Sequence, residues 1–388
     1  METREVFAVL EIEPTRDKNA IRAAYRRLVV YVNPEDDPKG FKRLRQAYEE
    51  ACRLADAPQE EAAEEAHKPD DSPVGQWIGR AAQIYGSLKR RTSEQAWKEL
   101  FEDDLCQALD TADEVREKFL VFLMSHFRFP QQIWRLFDQE FFILEQRSQL
   151  MEKFPPDFIN YVCFEIQNGG FIDFTLFDGP DEGPYDSYIS LYLQLKRQVD
   201  MLGGENGQEA QEEGAEKQAW DFLEQLDEME VWHPFAEVER LRLYIRRGDR
   251  ERAAERLEFL LALEVVNPYV TLQCGAALEY LNRKAEAQKL YEGLLERQPD
   301  NYPAGVGLVR CQLAHGEFAA AKERAMDLLD ISKNDPEVLD CMHQANAHLI
   351  PEMEKALEEN PDDWSGRIEL CWCYFQEERG EDCIALLE

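Results

Sequence analysis

The chain has 388 residues, with 79 Asp and Glu against 44 Lys and Arg, a net charge of −35 and a pI near 4.6. Sequence-independent nucleic-acid binding rests on Lys and Arg neutralising phosphates, so this balance argues against it and equally against anionic membrane surfaces. At 44% hydrophobic residues the chain can bury real cores, and its length suits two or three domains.

Residues 1–55 are a different electrostatic object, with 11 basic and 10 acidic side chains, so the rest of the chain carries about −36. Three helices are expected here. The first runs from about Thr3 to Leu10, with Val6, Phe7 and Leu10 inward. The second starts near a capping Asp17 and puts Ile21, Ala24, Tyr25 and Leu28 on one stripe. The third, Phe41 to Leu54, repeats the pattern with Phe41, Leu44, Ala47, Tyr48 and Cys52. A short loop through Asn33-Pro34-Glu35 makes the second and third helices antiparallel neighbours, leaving Arg22, Arg26 and Arg27 on the outer side.

Residues 56–73 are acidic and contain three prolines, and read as a linker. The next part, 74–201, is rich in large aromatics at helical spacing: Trp77, Trp97, Phe101, Phe119, Phe122, Trp134, Phe137 and Phe141. A helical domain with an aromatic core is expected, broken at Phe129-Pro130 and Pro155-Pro156, with Gly169 to Pro184 unassigned. Residues 202–218 carry almost no large apolar side chain and read as a second linker.

From 219 onward the sequence repeats. Residues 268–301 place Gly275 in a first helix, Ala287 and Tyr291 in a second, and Pro299 just beyond. Stepping by 34 residues brings Ala253 and Ala321 into register with Ala287, with Gly248 and Gly316 at the turns. A shorter degenerate unit is expected around Pro336 to Pro361, and another from Trp364 with Gly380 at its turn. This region resembles the tetratricopeptide repeat, a helical hairpin that stacks into an α-solenoid and binds extended or helical partner segments. The last unit reaches only about two turns of its second helix, which leaves room for a missing capping helix in a longer protein.

Residues 1–55 resemble the J domain, by which DnaJ-type cochaperones engage Hsp70. The resemblance rests on the order of the stripe Ile21, Ala24, Tyr25, Arg26, Arg27, Leu28, the loop triplet, and Phe41, Leu44, Ala47, Tyr48. It implies an Hsp70 contact through Arg22, Tyr25, Arg26, Arg27, Asn33, Pro34 and Glu35. The family's triplet is His-Pro-Asp, and here Asn33 and Glu35 replace the outer residues. Pro34 keeps the rigid turn; Asn33 lacks the imidazole, and Glu35 holds its carboxylate one methylene farther out. Tyr31 also stands where a basic residue is common in the family. Asn-Pro recurs at Asn267-Pro268 and Asn360-Pro361 as a plain helix boundary, so the triplet alone also reads as punctuation. The run Trp97, Leu100, Phe101, Asp103 resembles helical regions of bacterial J-like proteins that serve specialised Hsp70s.

No catalytic or metal constellation emerges. Cys341 and His343 are two apart on a helix, His343 and His348 five apart, and neither spacing makes a zinc site. Gly169-Gly170 and Gly203-Gly204 lack the pattern of a phosphate loop, and Cys371-Trp372-Cys373 suits packing better than redox work. Nine cysteines without a CxxC pair fit a reducing compartment, and the charged N-terminus does not read as a signal peptide. The expectation is a cytoplasmic, all-α, non-enzymatic protein without cofactor or membrane segment: a J-like module of three to four helices (1–55), a central helical domain (74–201) and a tetratricopeptide-like array (219–388). Its expected role is a cochaperone or adaptor joining an Hsp70 to a client or partner. The alternative is a scaffold whose J-like module does not stimulate Hsp70 and whose array mediates assembly.

Overall fold

The computed structural model describes residues 70–387 apart from 109 and 203–208, together with Ala24, Ala47 and Tyr48. The chain divides into two units, residues 1–76 and 77–388. The described part is all-α: its only strand-like feature is one isolated bridge between Asp178 and Trp232.

Eight helices come first: α1 (Pro73–Gly86), α2 (Leu88–Arg91), α3 (Glu94–Phe101), α4 (Asp104–Gln107), α5 (Ala112–Ser125), α6 (Gln131–Phe141), α7 (Arg147–Lys153) and α8 (Pro156–Asn168). Ser93 caps α3 by accepting from the Ala96 amide, and Pro130 and Pro155 each precede a helix start, as the Phe-Pro and Pro-Pro breaks require. All eight aromatics expected in the core are buried. Phe119 stands edge-on to Trp77 and Phe137 at centroid distances of 5.6 and 5.1 Å, and Trp97 meets Phe137 at 5.0 Å. Two of the buried indoles find acceptors, Trp77 Nε1 donating to Leu100 O and Trp97 Nε1 to Arg91 O, both at 3.0 Å, whereas Trp134 Nε1 has none.

The unassigned stretch 169–184 holds a single 3-10 turn, Phe174–Leu176, and is fastened on both sides. Toward the first helices, Ser87 Oγ and the Lys89 amide donate to the Asp181 carboxylate (2.6 and 2.9 Å), holding it below the usual Asp range. Nearby, Asp186 accepts from Tyr85 and from the buried Arg91 at 2.8 and 2.7 Å. Toward the repeats, Asp178 pairs with Trp232, and His233 packs its ring on Phe177 at 4.6 Å.

Helix α9 (Tyr185–Met201) leads to α10 (Glu209–Asp227). The stretch 202–218, read as a linker, is therefore helical from Glu209 on, and Ala215 is already buried. The polar composition of 209–218 hid it: the helix needs few large side chains there because Ala215 and Ala219 make a narrow apolar seam that continues in Leu223 and Leu226.

The hairpins follow: α11 (Pro234–Arg246) with α12 (Arg250–Ala262), α13 (Pro268–Tyr280) with α14 (Lys284–Arg297), and α15 (Tyr302–His315) with α16 (Phe318–Ile331). The 34-residue register is physical. Asn267, Asn301 and Asp335 cap successive first helices with their side chains. Gly248, Asn282 and Gly316 take positive φ (72, 66 and 77°) at successive turns, and Ala253, Ala287 and Ala321 are fully buried where paired helices cross. Tyr291 explains two glycines: a Cβ on Gly275 or Gly307 would lie 2.5 Å from its ring.

The fourth unit departs from a hairpin. Register places Ile350 at the turn position, and a β-branched residue is costly in the left-handed region. The chain stays helical instead, α17 running unbroken over Pro336–Glu359 with Pro351 inside it. The turn expected at Gly380 falls at Glu378 (φ 57°), between α18 (Trp364–Gln376) and α19 (Gly380–Leu387).

Candidate functional site

The residues expected to meet Hsp70, Arg22, Tyr25, Arg26, Arg27, Asn33, Pro34 and Glu35, lie outside the described residues. Of their neighbours, Ala24 and Ala47 are helical and buried, and Tyr48 is helical.

The first helices of the hairpins line a groove of about 500 Å³ between α13, α15 and α17. Arg310 is its organising residue. It donates bidentately to Glu279 (2.8 and 2.9 Å) and with its third nitrogen to Glu337 (2.5 Å), tying three successive first helices together. Burial pushes the Glu279 carboxyl up, but the bonds from Arg310 and Tyr291 outweigh it and hold the group below the usual Glu range. Leu313, Phe318 and Gln344 complete an amphipathic lining, with the His348 ring stacked on Phe318 at 4.0 Å.

The equivalent face of the first hairpin is covered by the chain itself. Phe171, from the irregular stretch, packs on Phe235 and Tyr269 at 5.1 and 4.9 Å, and the Lys196 ammonium lies 5.3 Å over both the Phe171 and Tyr269 rings. Beneath them Glu239 is fully buried, accepting from Tyr269 (2.5 Å), Arg242 (2.7 Å) and Tyr192 (3.2 Å). Burial pushes this carboxyl up, and the Arg242 charge opposes that shift. The face from α13 to α17 is therefore open, while the start of the array is covered. Composition could not show this, because the covering residues come from the stretch that resists assignment.

Of the other singled-out residues, Cys341, Cys371 and Cys373 are buried free thiols, and His343 bonds Glu377 at 2.9 Å. Among the described residues no group of three His, Cys, Asp or Glu is placed to hold a metal ion, and no helix is long and apolar enough to cross a membrane.

Against known proteins, residues 75–169 match a family model described as the DjlB/C second domain, ending where α8 ends and the irregular stretch begins. Residues 282–342 match a model described as tetratricopeptide repeat. The two matches lie in that order in one all-α chain. Curated proteins gave no match. Among solved structures, two of MamA point mutants are similar to this chain at 18% identity. One match covers 51% of this chain and 89% of the MamA chain, the other 52% and 95%, each with a TM-score of 0.31.

Proposed function

We propose that the protein is a J-domain-like cochaperone or adaptor, which engages an Hsp70 through residues 1–55 and holds a client or partner on its tetratricopeptide array. The observation that carries this reading is the order of the parts: a segment resembling a J domain, then a match to the DjlB/C second domain, then helical hairpins. In this reading Pro34 sets the loop, Glu35 supplies the anion, and Arg22, Arg26 and Arg27 form a basic patch that steers an acidic Hsp70 surface toward an otherwise acidic protein. The partner lies along the α13 to α17 groove, and the protein itself carries out no chemistry.

The altered triplet favours a second reading, a scaffold that docks without stimulating. Single-turnover ATP hydrolysis by the host's Hsp70 proteins separates the two. Stimulation by the full chain, lost in Pro34→Ala and weakened in Arg26→Glu, supports the cochaperone. Stimulation confined to an Asn33→His/Glu35→Asp variant, or absent from both chains, turns the assignment to the scaffold.

A further inference from the structure

A second cleft, of about 280 Å³, lies where α8 meets the irregular stretch and α9, and the proposed function makes no use of it. Its walls are largely aromatic, including Phe127, Tyr161, Phe164 and Phe171, and Phe164 is 55% exposed. Glu165 also lines it, although this residue is only 7% exposed. The carboxylate has one hydroxyl for company. Tyr161 beside it has a single proton, shared between the carboxylate and Phe127 O, which the hydroxyl meets at 3.1 Å. Arg128 is close enough to act on it electrostatically, but its guanidinium sits over the Phe127 ring at 4.6 Å, and none of the ion pairs among the described residues includes Glu165. Gly170 leaves one side of the carboxylate open, since a Cβ there would stand 2.8 Å from Oε2.

A buried carboxylate without a paired cation is costly, and here burial pushes its pKa upward. A cation entering the cleft would relieve that cost, and the aromatic faces around it attract the same charge. The cleft has room for one long side chain. Largely apolar walls around the Glu165 carboxylate, with Arg128 the one other charged residue of the lining, favour an alkyl stem that ends in a cation, and the −35 net charge draws such groups in.

We propose that this cleft is an anchor site for a lysine or arginine side chain of a protein partner, its stem against Phe164 and Phe171 and its cation on Glu165. The site draws on no residue of 1–55, so failure of the Hsp70 reading leaves it untouched. Saturation-transfer NMR on the full chain tests it with the capped tripeptides Gly-Lys-Gly and Gly-Arg-Gly, the norleucine analogue, and free cadaverine. Saturation is expected on the Lys and Arg methylenes, with the norleucine peptide at least fivefold weaker. Glu165→Gln should weaken binding at least tenfold and the exposed Phe164→Ala about threefold, with no change in Glu352→Gln, a remote exposed carboxylate. Should Glu165→Gln fail to fold by circular dichroism, Phe164→Ala decides the matter. Equal binding of norleucine, or unchanged binding in the Glu165 and Phe164 variants, overturns the site. Cadaverine binding more tightly than both peptides overturns the partner side chain in favour of a free polyamine.

Discussion

The aromatic-cored region α1 to α8 and the hairpin array are both helical, yet they are held by different means. In the first, Trp77, Trp97, Phe119 and Phe137 from four helices meet in one aromatic cluster, so each large ring supports several elements at once. In the array, small residues at fixed register admit the neighbouring helix, and every hairpin leans on the next. The contrast teaches where each region is vulnerable: the domain to loss of volume, the array to its addition.

Trp97→Ala should break the first region most severely. It removes a fully buried indole and its bond to Arg91 O, for a loss of about 3–5 kcal/mol in urea unfolding. A loss near that of an exposed aromatic would show that the cluster does not bear the domain's stability.

The seam between the regions should respond to acid through His233. Its ring is satisfied as the neutral form: one nitrogen bonds Asp173 O at 3.0 Å, and the other accepts from the Phe235 amide at 3.2 Å. Burial lowers its pKa from 6.5 to about 4. The unfolded chain therefore takes up a proton first, and stability should fall as pH drops from 6.5 toward 4, by up to roughly 3 kcal/mol. In His233→Asn, whose side chain can still cap α11, that slope should flatten in unfolding curves measured across the range.

Adding volume sharpens the contrast on the array side. Gly275→Ala pushes a methyl into the Tyr291 ring and should cost about 1–3 kcal/mol, largely recovered when Tyr291→Leu is combined with it. Strictly additive losses in that double-mutant cycle would mean that the glycine is not there for the ring.

The smallest effect belongs to Arg310→Gln. Its ion pairs are part-exposed and should contribute under about 1 kcal/mol at neutral pH. Because Glu279 is held below its ordinary value of 4.5, its contribution is present above that pH and disappears as pH falls through the lower folded value. Thermal melts between pH 5 and 3, both chosen to bracket that value, should lose this acid-sensitive part in the variant.

Much of the fold was legible. The aromatic spacing of 74–201 and the recurrence of Ala253, Ala287 and Ala321 follow from rules local enough to read along the chain. The fourth unit was legible in principle: Ile350 at a position that needs positive φ says that no turn forms there, though Pro351 beside it suggests a break. The Hsp70-facing residues rest on resemblance alone, since they lie outside the described residues.

By itself the sequence determined the all-helical class, the identity of the core aromatics and the 34-residue period, because helix spacing, caps and turns depend on residues a few positions apart. Tertiary structure alone decided that residues 171–177 fasten the domain to the array and cover its first face, that Glu239 is buried among Tyr192, Arg242 and Tyr269, and that Glu165 is enclosed by aromatic rings. Those contacts join residues far apart in the chain, Asp173 and Asn267 being 94 positions apart, and no local pattern encodes which distant surface a loop will meet.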